Sequence, residues 1–320
     1  MKLVITGALG HIGSRFIHDI RPGDFKEVVL VDNLATQRYA SLFNLPDNVP
    51  FNFIEADVFS ADLDALFSGS DAVLHLAAIT DATNSFEIQD RVEQVNHEGT
   101  RKVAEACIRA GCPLIFISST SVYGTQQEVV DESCPDTELR PQSPYAEAKL
   151  KSEHMLEELG RQKGLRFITC RFGTIFGISP GMRFHTAVNK FIWQACVGIP
   201  ITVWSTAMDQ KRPYLDVGEA VRSLRFIMEK KLYDNQVYNV LTENSTVREI
   251  VDIIRSHIKD VKVEYVDTRI MNQLSYHVLS DRFQALGFEF TGSLSEGIKQ
   301  TVKLLRNVRS EGRSDFEATA

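Results

Sequence analysis

Lys2–Gly13 reads KLVITGALGHIG, and the fold follows from it. An apolar, β-branched run ends at Thr6. Glycines then stand at 7, 10 and 13, and the residues beyond have helical spacing. A strand that passes through a glycine turn into a helix opens a βαβ unit. The glycines permit the tight turn, let the backbone approach a phosphate, and let the helix pack on the strand. The helix N-terminus, with open N–H groups and the positive end of its dipole, then favours an anion. Gly7, Gly10, His11 and Ile12 are the expected cradle of a pyrophosphate. The next strand, EVVLVD, closes on Asp32, nineteen residues after Gly13. A carboxylate there accepts from the adenosine ribose hydroxyls and repels a 2′-phosphate, so NAD is expected over NADP. The competing reading is turn glycines and a strand-end Asp in an α/β protein with another ligand.

Outward from this stretch the pattern repeats. FNFIEAD, DAVLHLAA, PLIFISS, RFITCRF and QVYNV are near-continuous apolar runs, which suit a parallel sheet buried on both faces. Helix-like stretches separate them, such as QVNHEGTRKVAEACIRAGC, which ends on a capping Gly111. The fold class is α/β: a Rossmann-type doubly wound parallel sheet with a smaller α+β substrate domain on its C-terminal side. The alternation weakens after about residue 177. Residues 1–176 are expected to form the NAD-binding domain, joined by a returning segment at about 214–240. Residues 177–213 and 241–308 are expected to form the substrate domain, and the polar tail 309–320 a flexible end.

Composition narrows the partners. The chain has 320 residues, a net charge of −7 and 43% apolar residues. An acidic chain argues against nucleic acid or a membrane surface as partner. The N-terminus lacks the apolar core of a signal peptide, and no run approaches the ~18 apolar residues of a membrane span. Five scattered cysteines without a CxxC pair read as reduced thiols of a cytosolic protein. No metal site is expected.

The glycine spacing is GxxGxxG and not GxGxxG. In this the chain resembles the extended short-chain dehydrogenase/reductase family, the NAD-dependent nucleotide-sugar epimerases and dehydratases. Other segments match in order, from Met1 to about Lys303. EADVF resembles the family's adenine-contacting segment, which implies cofactor contacts at Asp57 and Val58; Asn33, beside Asp32, is expected among them. HLAAIT (75–80) resembles the strand end that lines the cofactor, through Leu76, Ala77 and Ala78. VNHEGT carries the family's structural Asn at Asn96.

QSPYAEAKL places Tyr145 and Lys149 four apart, after an N-cap-like Ser143 and a first-turn Pro144. Both side chains then share one helix face. A free tyrosine titrates near ~10 and is a weak base at neutral pH. A neighbouring ammonium and a positive nicotinamide ring would favour the phenolate. Tyr145 could then take a sugar hydroxyl's proton while Lys149 holds the nicotinamide ribose. In ISSTSVYG (117–124), the resemblance places the hydroxyl that bonds the reacting group at Ser119. Dehydratases of the family follow that residue with an Asp–Glu pair. Here the positions hold Thr120 and Ser121, so redox without elimination is implied, with both as candidate substrate contacts. Ser118 is read as satisfying local backbone groups.

On the sugar-nucleotide side, RFGTIFG resembles the segment that leads into the substrate domain, with Thr174 where Asn is usual. Within SPGMRFHTAVNKF, Arg183 or His185 is a possible substrate contact, and Asn189 matches a frequent contact position. QKRPYLDV implies a diphosphate grip by Arg212, and DTRIMN a second at Arg269, with Asn272 where Asp is usual. A guanidinium fork suits that role. The expected activity is epimerisation of a nucleotide-diphosphate sugar, at C4 through a 4-keto intermediate. A nucleotide-sugar dehydrogenase or reductase is the alternative, and a non-catalytic NAD-binding sensor or scaffold a third. The resemblance also implies a homodimer through the stretches around 92–110 and 145–160.

Overall fold

The computed structural model describes residues 1–47, 49–124, 128–266, 275–305 and 308. Seven strands form the central sheet: β1 (Lys2–Thr6), β2 (Glu27–Asp32), β3 (Phe51–Glu55), β4 (Ala72–His75), β5 (Leu114–Ser119), β6 (Phe167–Phe172) and β7 (Val237–Val240). Their spatial order is β3-β2-β1-β4-β5-β6-β7, and every neighbouring pair is parallel. The order reverses between β1 and β4. In a doubly wound sheet the crevice beyond the carboxyl ends of the strands at that reversal is where ligands bind.

The strands are apolar throughout because both faces are covered. Leu3 and Ile5 of β1 join Val28 and Leu30 of β2 on one face, while Val4, Val29 and Val31 point to the other. The first face is covered by α1 (His11–His18) and, as labelled in chain order, α5 (Val217–Lys230). The second is covered by α2 (Gly99–Ala110) and α3 (Pro144–Lys163), through residues such as Val103, Cys107, Leu156 and Leu159. Each fully buried side chain of this size contributes about 1.5–3 kcal/mol, against about 1 kcal/mol for a net hydrogen bond. The strand ends that carry the site are therefore fixed chiefly by the two apolar layers.

Helix limits follow local chemistry. The Ser143 hydroxyl accepts from Ala146 N (3.2 Å), Pro144 takes the first helical position, and α3 stops at Gly164 with φ 71°. The helix α2 stops at Gly111, φ 67°. A third apolar cluster lies outside the sheet. It joins α4 (Ala187–Cys196), α6 (Val247–His257) and α7 (Leu294–Leu305) to Ile201 and Val203. The α6 N-terminus carries a reciprocal capping box between Thr246 and Glu249. Strand Lys211–Asp216 lies between Thr174–Phe176, parallel to it, and Glu243–Thr246, antiparallel. Among the described residues no helix is long and apolar enough to cross a membrane.

Candidate active site

A cavity of about 340 Å³ opens at the reversal point, lined by residues from Gly7 to Thr186. Its first wall is backbone. Gly7 has φ +69°, and its N–H donates to Val31 O (2.8 Å). A Cβ on Gly7 would meet Ala77 N at 2.5 Å, and one on Gly13 would meet Ala8 O at 2.4 Å. Gly10 is the N-cap of α1 and gives it no side-chain cap; the first bond of the helix is Ser14 N–H to Gly10 O (2.8 Å). The N–H groups of His11, Ile12 and Gly13 are thus the unfilled donors of the first turn. A glycine-bare helix end facing a cavity fits a dinucleotide pyrophosphate, and the residues that would hold NAD there are Gly7, Gly10, His11 and Ile12.

His11 itself is turned away from that role. Its ring is buried and donates through Nε2 to Gly177 O (2.9 Å). Burial pushes its pKa down to about 3, so the ring is neutral. The His11 backbone faces the cradle while its side chain ties α1 to the segment after strand Thr174–Phe176. Ser14 strengthens the tie: Gly181 N–H donates to its Oγ (2.9 Å), which donates to Ser179 Oγ (3.1 Å).

Asp32 ends β2, with Oδ2 accepting from Leu9 N (3.0 Å) and Oδ1 from Leu34 N (2.9 Å). Each oxygen keeps a lone pair free of these two bonds. Asn33 donates to Asp57 Oδ2 (2.8 Å), so these two residues form one unit beside the β2 end. Val58 is buried in the second core layer. Leu76 and Ala78 line the cavity, and Ala77 gives the backbone against which Gly7 packs. Asn96 clasps Ile79 from both sides, Oδ1 accepting its N–H and Nδ2 donating to its carbonyl, each at 2.8 Å.

Opposite the glycines stand the protic side chains. Ser119 ends β5, and Tyr145 and Lys149 rise from the first turns of α3; all three line the cavity. Ser119 hydrogen-bonds the Tyr145 phenol and accepts from Ser121 Oγ (2.9 Å) and Ser121 N (3.2 Å). Burial raises the Tyr145 pKa; Ser119 and the Arg183 guanidinium pull it back only in part. Lys149 differs from the expected phenol partner. Its ammonium donates to Ile117 O (2.7 Å) and lies 4.7 Å from the centre of the Phe116 ring. Burial lowers its pKa to about 8, opposed by the charge of Glu153. The charge that acts on Tyr145 in this arrangement is that of Arg183.

The remaining sequence candidates divide. Ser121 and Thr174 line the cavity. Thr120 is buried, its hydroxyl turned to Phe172 O (3.3 Å). Asn189 is fully buried; it accepts from Gly177 N (3.2 Å) and donates to Arg183 O (2.9 Å). Arg212 lies outside the cavity lining, over the Tyr276 ring at 5.2 Å, and donates to Gln210 Oε1 (3.2 Å). Arg269 and Asn272 fall outside the described residues.

The reading of Ser118 as a local backbone donor is corrected. Its hydroxyl donates to the carboxylate of Glu153, which is buried and forked onto Arg171 (Nη2–Oε2 2.6 Å, Nε–Oε1 3.1 Å). Arg171 stacks on the Tyr123 ring at 4.9 Å, and the Tyr123 hydroxyl donates to Asn239 Oδ1 (2.8 Å). This buried array backs the β5 end and Lys149. Glu153 stands four residues after Lys149, and that helical spacing is the signal that could have found it. Arg171 lies on another strand, and no local spacing announces it.

The profile described as "NAD dependent epimerase/dehydratase family" matches residues 3–240. An uncharacterised UDP-glucose epimerase of Bacillus subtilis is 26% identical over 96% of this chain and 99% of its own. The structure of UDP-glucuronic acid 4-epimerase from Bacillus cereus, with UDP-glucuronic acid and NAD, superposes with a TM-score of 0.86 at 25% identity, covering 96% of this chain and 99% of that one. That of UDP-glucose 4-epimerase from Thermus thermophilus, with NAD, gives 0.80 at 26% identity over the same shares.

Proposed function

The chain belongs to the NAD dependent epimerase/dehydratase family, and on that premise we propose that it is an NAD-dependent 4-epimerase of a UDP-linked sugar. The observation that carries the choice within the family is the acid-free wall beside Tyr145. Elimination needs a proton donor next to the reacting hydroxyl, and the two positions after Ser119 hold Thr120 and Ser121. Among the described residues the cavity lining includes a single carboxylate, Asp81, whose Oδ1 is taken by the N–H groups of Thr83 and Asn84, each at 3.0 Å.

Tyr145 takes the proton of the sugar 4-hydroxyl, with Ser119 bonded to both partners. Bound in the glycine cradle, NAD supplies the hydride acceptor at that carbon and the donor for its return. Lys149, which donates to Ile117 O, is assigned to the nicotinamide ribose. Once the 4-keto sugar has turned over in the cavity, the other face of C4 meets the hydride donor and Tyr145 returns the proton to the C4 oxygen. Because burial raises the Tyr145 pKa in the unliganded chain, the positive charge that makes it a base comes with the bound ligands.

The test is proton NMR in deuterium oxide, with the protein and its co-purifying NAD incubated with UDP-sugars. A new C4 epimer without deuterium is expected. Deuterium at C3 or C5 would mean enolisation beside a ketone. Turnover only with stoichiometric NAD or NADH would leave a dehydrogenase or reductase.

The same reading extends to organisation. Residues 1–176 with 214–240 serve the cofactor, and 177–213 with 241–308 the sugar nucleotide; the separate third core cluster supports this, while Phe283 and Phe288 of the latter segment pack into the first layer of the sheet. Two chains pair through the helices around 92–110 and 145–160, and light scattering tests it. All five cysteines are unpaired, which supports a reducing, cytoplasmic setting. Arg212 and Arg269 are assigned to the diphosphate, and Asn189 to the substrate side through the loop it anchors.

A further inference from the structure

We propose that Arg183 binds an anionic group of the substrate beside the carbon that reacts, and that this group is the C6 carboxylate of a hexuronate. The inference rests on the 4-epimerase reading and names the class of sugar.

Four observations carry it. Arg183 lines the cavity, and its Nε is buried with no hydrogen-bond partner among the described residues. It forms no ion pair there either; Asp81 is near enough to favour its charge, but one oxygen of that carboxylate is committed to backbone. A buried guanidinium N–H left unmade costs about 1–3 kcal/mol, so an unliganded site that keeps one is arranged for an arriving acceptor. Arg183 is also held in place. The fully buried Asn189 clamps its carbonyl at 2.9 Å and Gly177 N at 3.2 Å. It stands on the sugar side of the cleft, since its charge acts on Tyr145, which marks the reacting hydroxyl. The phosphate side has its own donors. The bare end of α1 serves the NAD pyrophosphate, and Arg212 and Arg269 are assigned to the diphosphate of the sugar nucleotide; Arg38, whose charge acts on both Asp32 and Arg183, has its own Nη1 buried with no hydrogen-bond partner among the described residues.

A hexuronate carboxylate is the group nearest the 4-hydroxyl that a guanidinium grips as a two-pronged fork. Thr174, which shares the lining, supplies a hydroxyl donor for a remaining lone pair, whereas the Ser121 and Thr186 hydroxyls donate to Ser119 Oγ (2.9 Å) and Ile175 O (3.4 Å). A neutral hexose offers only a 6-hydroxyl, which cannot neutralise the arginine.

The experiment compares UDP-glucuronate with UDP-glucose in the wild-type holoprotein and in Arg183→Gln, with NAD content and thermal unfolding recorded for both. The wild type is expected to prefer UDP-glucuronate by on the order of 100-fold in kcat/KM. Arg183→Gln should lower kcat/KM on that sugar on the order of 100-fold more than on UDP-glucose, where only its effect on the Tyr145 phenol is lost. Equal losses on both sugars would assign Arg183 to the phosphate and overturn the proposal. Wild-type turnover of UDP-glucose but not of UDP-glucuronate would overturn it while leaving the 4-epimerase reading intact. Turnover of neither sugar would leave the 4-epimerase reading to the wider series of UDP-sugars. Calorimetry would then still decide: tenfold tighter binding of UDP-glucuronate than UDP-glucose, lost in Arg183→Gln and kept in Arg183→Lys, supports the carboxylate site, and equal binding overturns it.

Discussion

The two ends of the cleft are built from different materials. At the cofactor end the surface is main chain: Gly7, Gly10 and Gly13 leave no side chain to adjust, and an added methyl would lie 2.4–2.5 Å from backbone atoms of Ala8 or Ala77 at two of them. At the sugar end the surface is side chain: Ser119, Ser121, Tyr145, Thr174 and Arg183 offer hydroxyls, a phenol and a guanidinium. A backbone wall has one shape and suits a ligand that never changes. A side-chain wall can be rewritten residue by residue, which is how one fold serves many sugars.

The sharpest way to break this comparison is Tyr145→Phe. If the chemistry resides in side chains at the sugar end, turnover falls about 10²–10⁴-fold while bound NAD, read from the absorbance of denatured protein, is unchanged. Loss of NAD instead would mean that the two ends are not separable. Next comes Glu153→Gln. It leaves the Arg171 guanidinium buried beside a neutral amide, and urea unfolding should show a loss of about 3–5 kcal/mol. Gly13→Ala attacks the other end. The methyl must displace the Ala8 carbonyl, and the expected loss is about 1–3 kcal/mol, together with loss of co-purifying NAD. A smaller effect separates Lys149 from both. Its folded pKa of about 8 lies below the ordinary lysine value, so between those two pH values the unfolded chain binds more protons than the folded one. Stability of the NAD-free protein should therefore rise with pH across that window, and Lys149→Met should flatten the rise in a pH series of urea titrations.

How much could be read in advance follows the same division. Main-chain features announce themselves locally. GALGHIG, the strand-end Asp32 and the SPYAEAK start of α3 each sit within one turn or one strand, and the parallel order follows from their alternation. The expected partner of the phenol was less legible. Lys149 stands at the right spacing, yet its ammonium is spent on the Ile117 carbonyl, and only the packed structure reveals the arginine on the following segment. Ser118 was misread because its partner, Glu153, lies 35 residues on, and that carboxylate is held in turn by Arg171 on β6. Asn189 and Arg183 are six apart across a loop and a helix start, a distance that no periodicity encodes.

The all-parallel sheet has a consequence in time. β1 is flanked by β2 and by β4, and the cleft draws its lining from Gly7 to Thr186. A ribosome adding roughly 5–20 residues per second needs on the order of ten to forty seconds to pass from one end of that lining to the other. Early in that interval β1 and β2 are made with apolar side chains on both faces, before α2 and α3 complete one covering layer and well before α5 completes the other. The nascent chain thus spends its most exposed period before either ligand can bind, and must be shielded then by other means than the cofactor it will later hold.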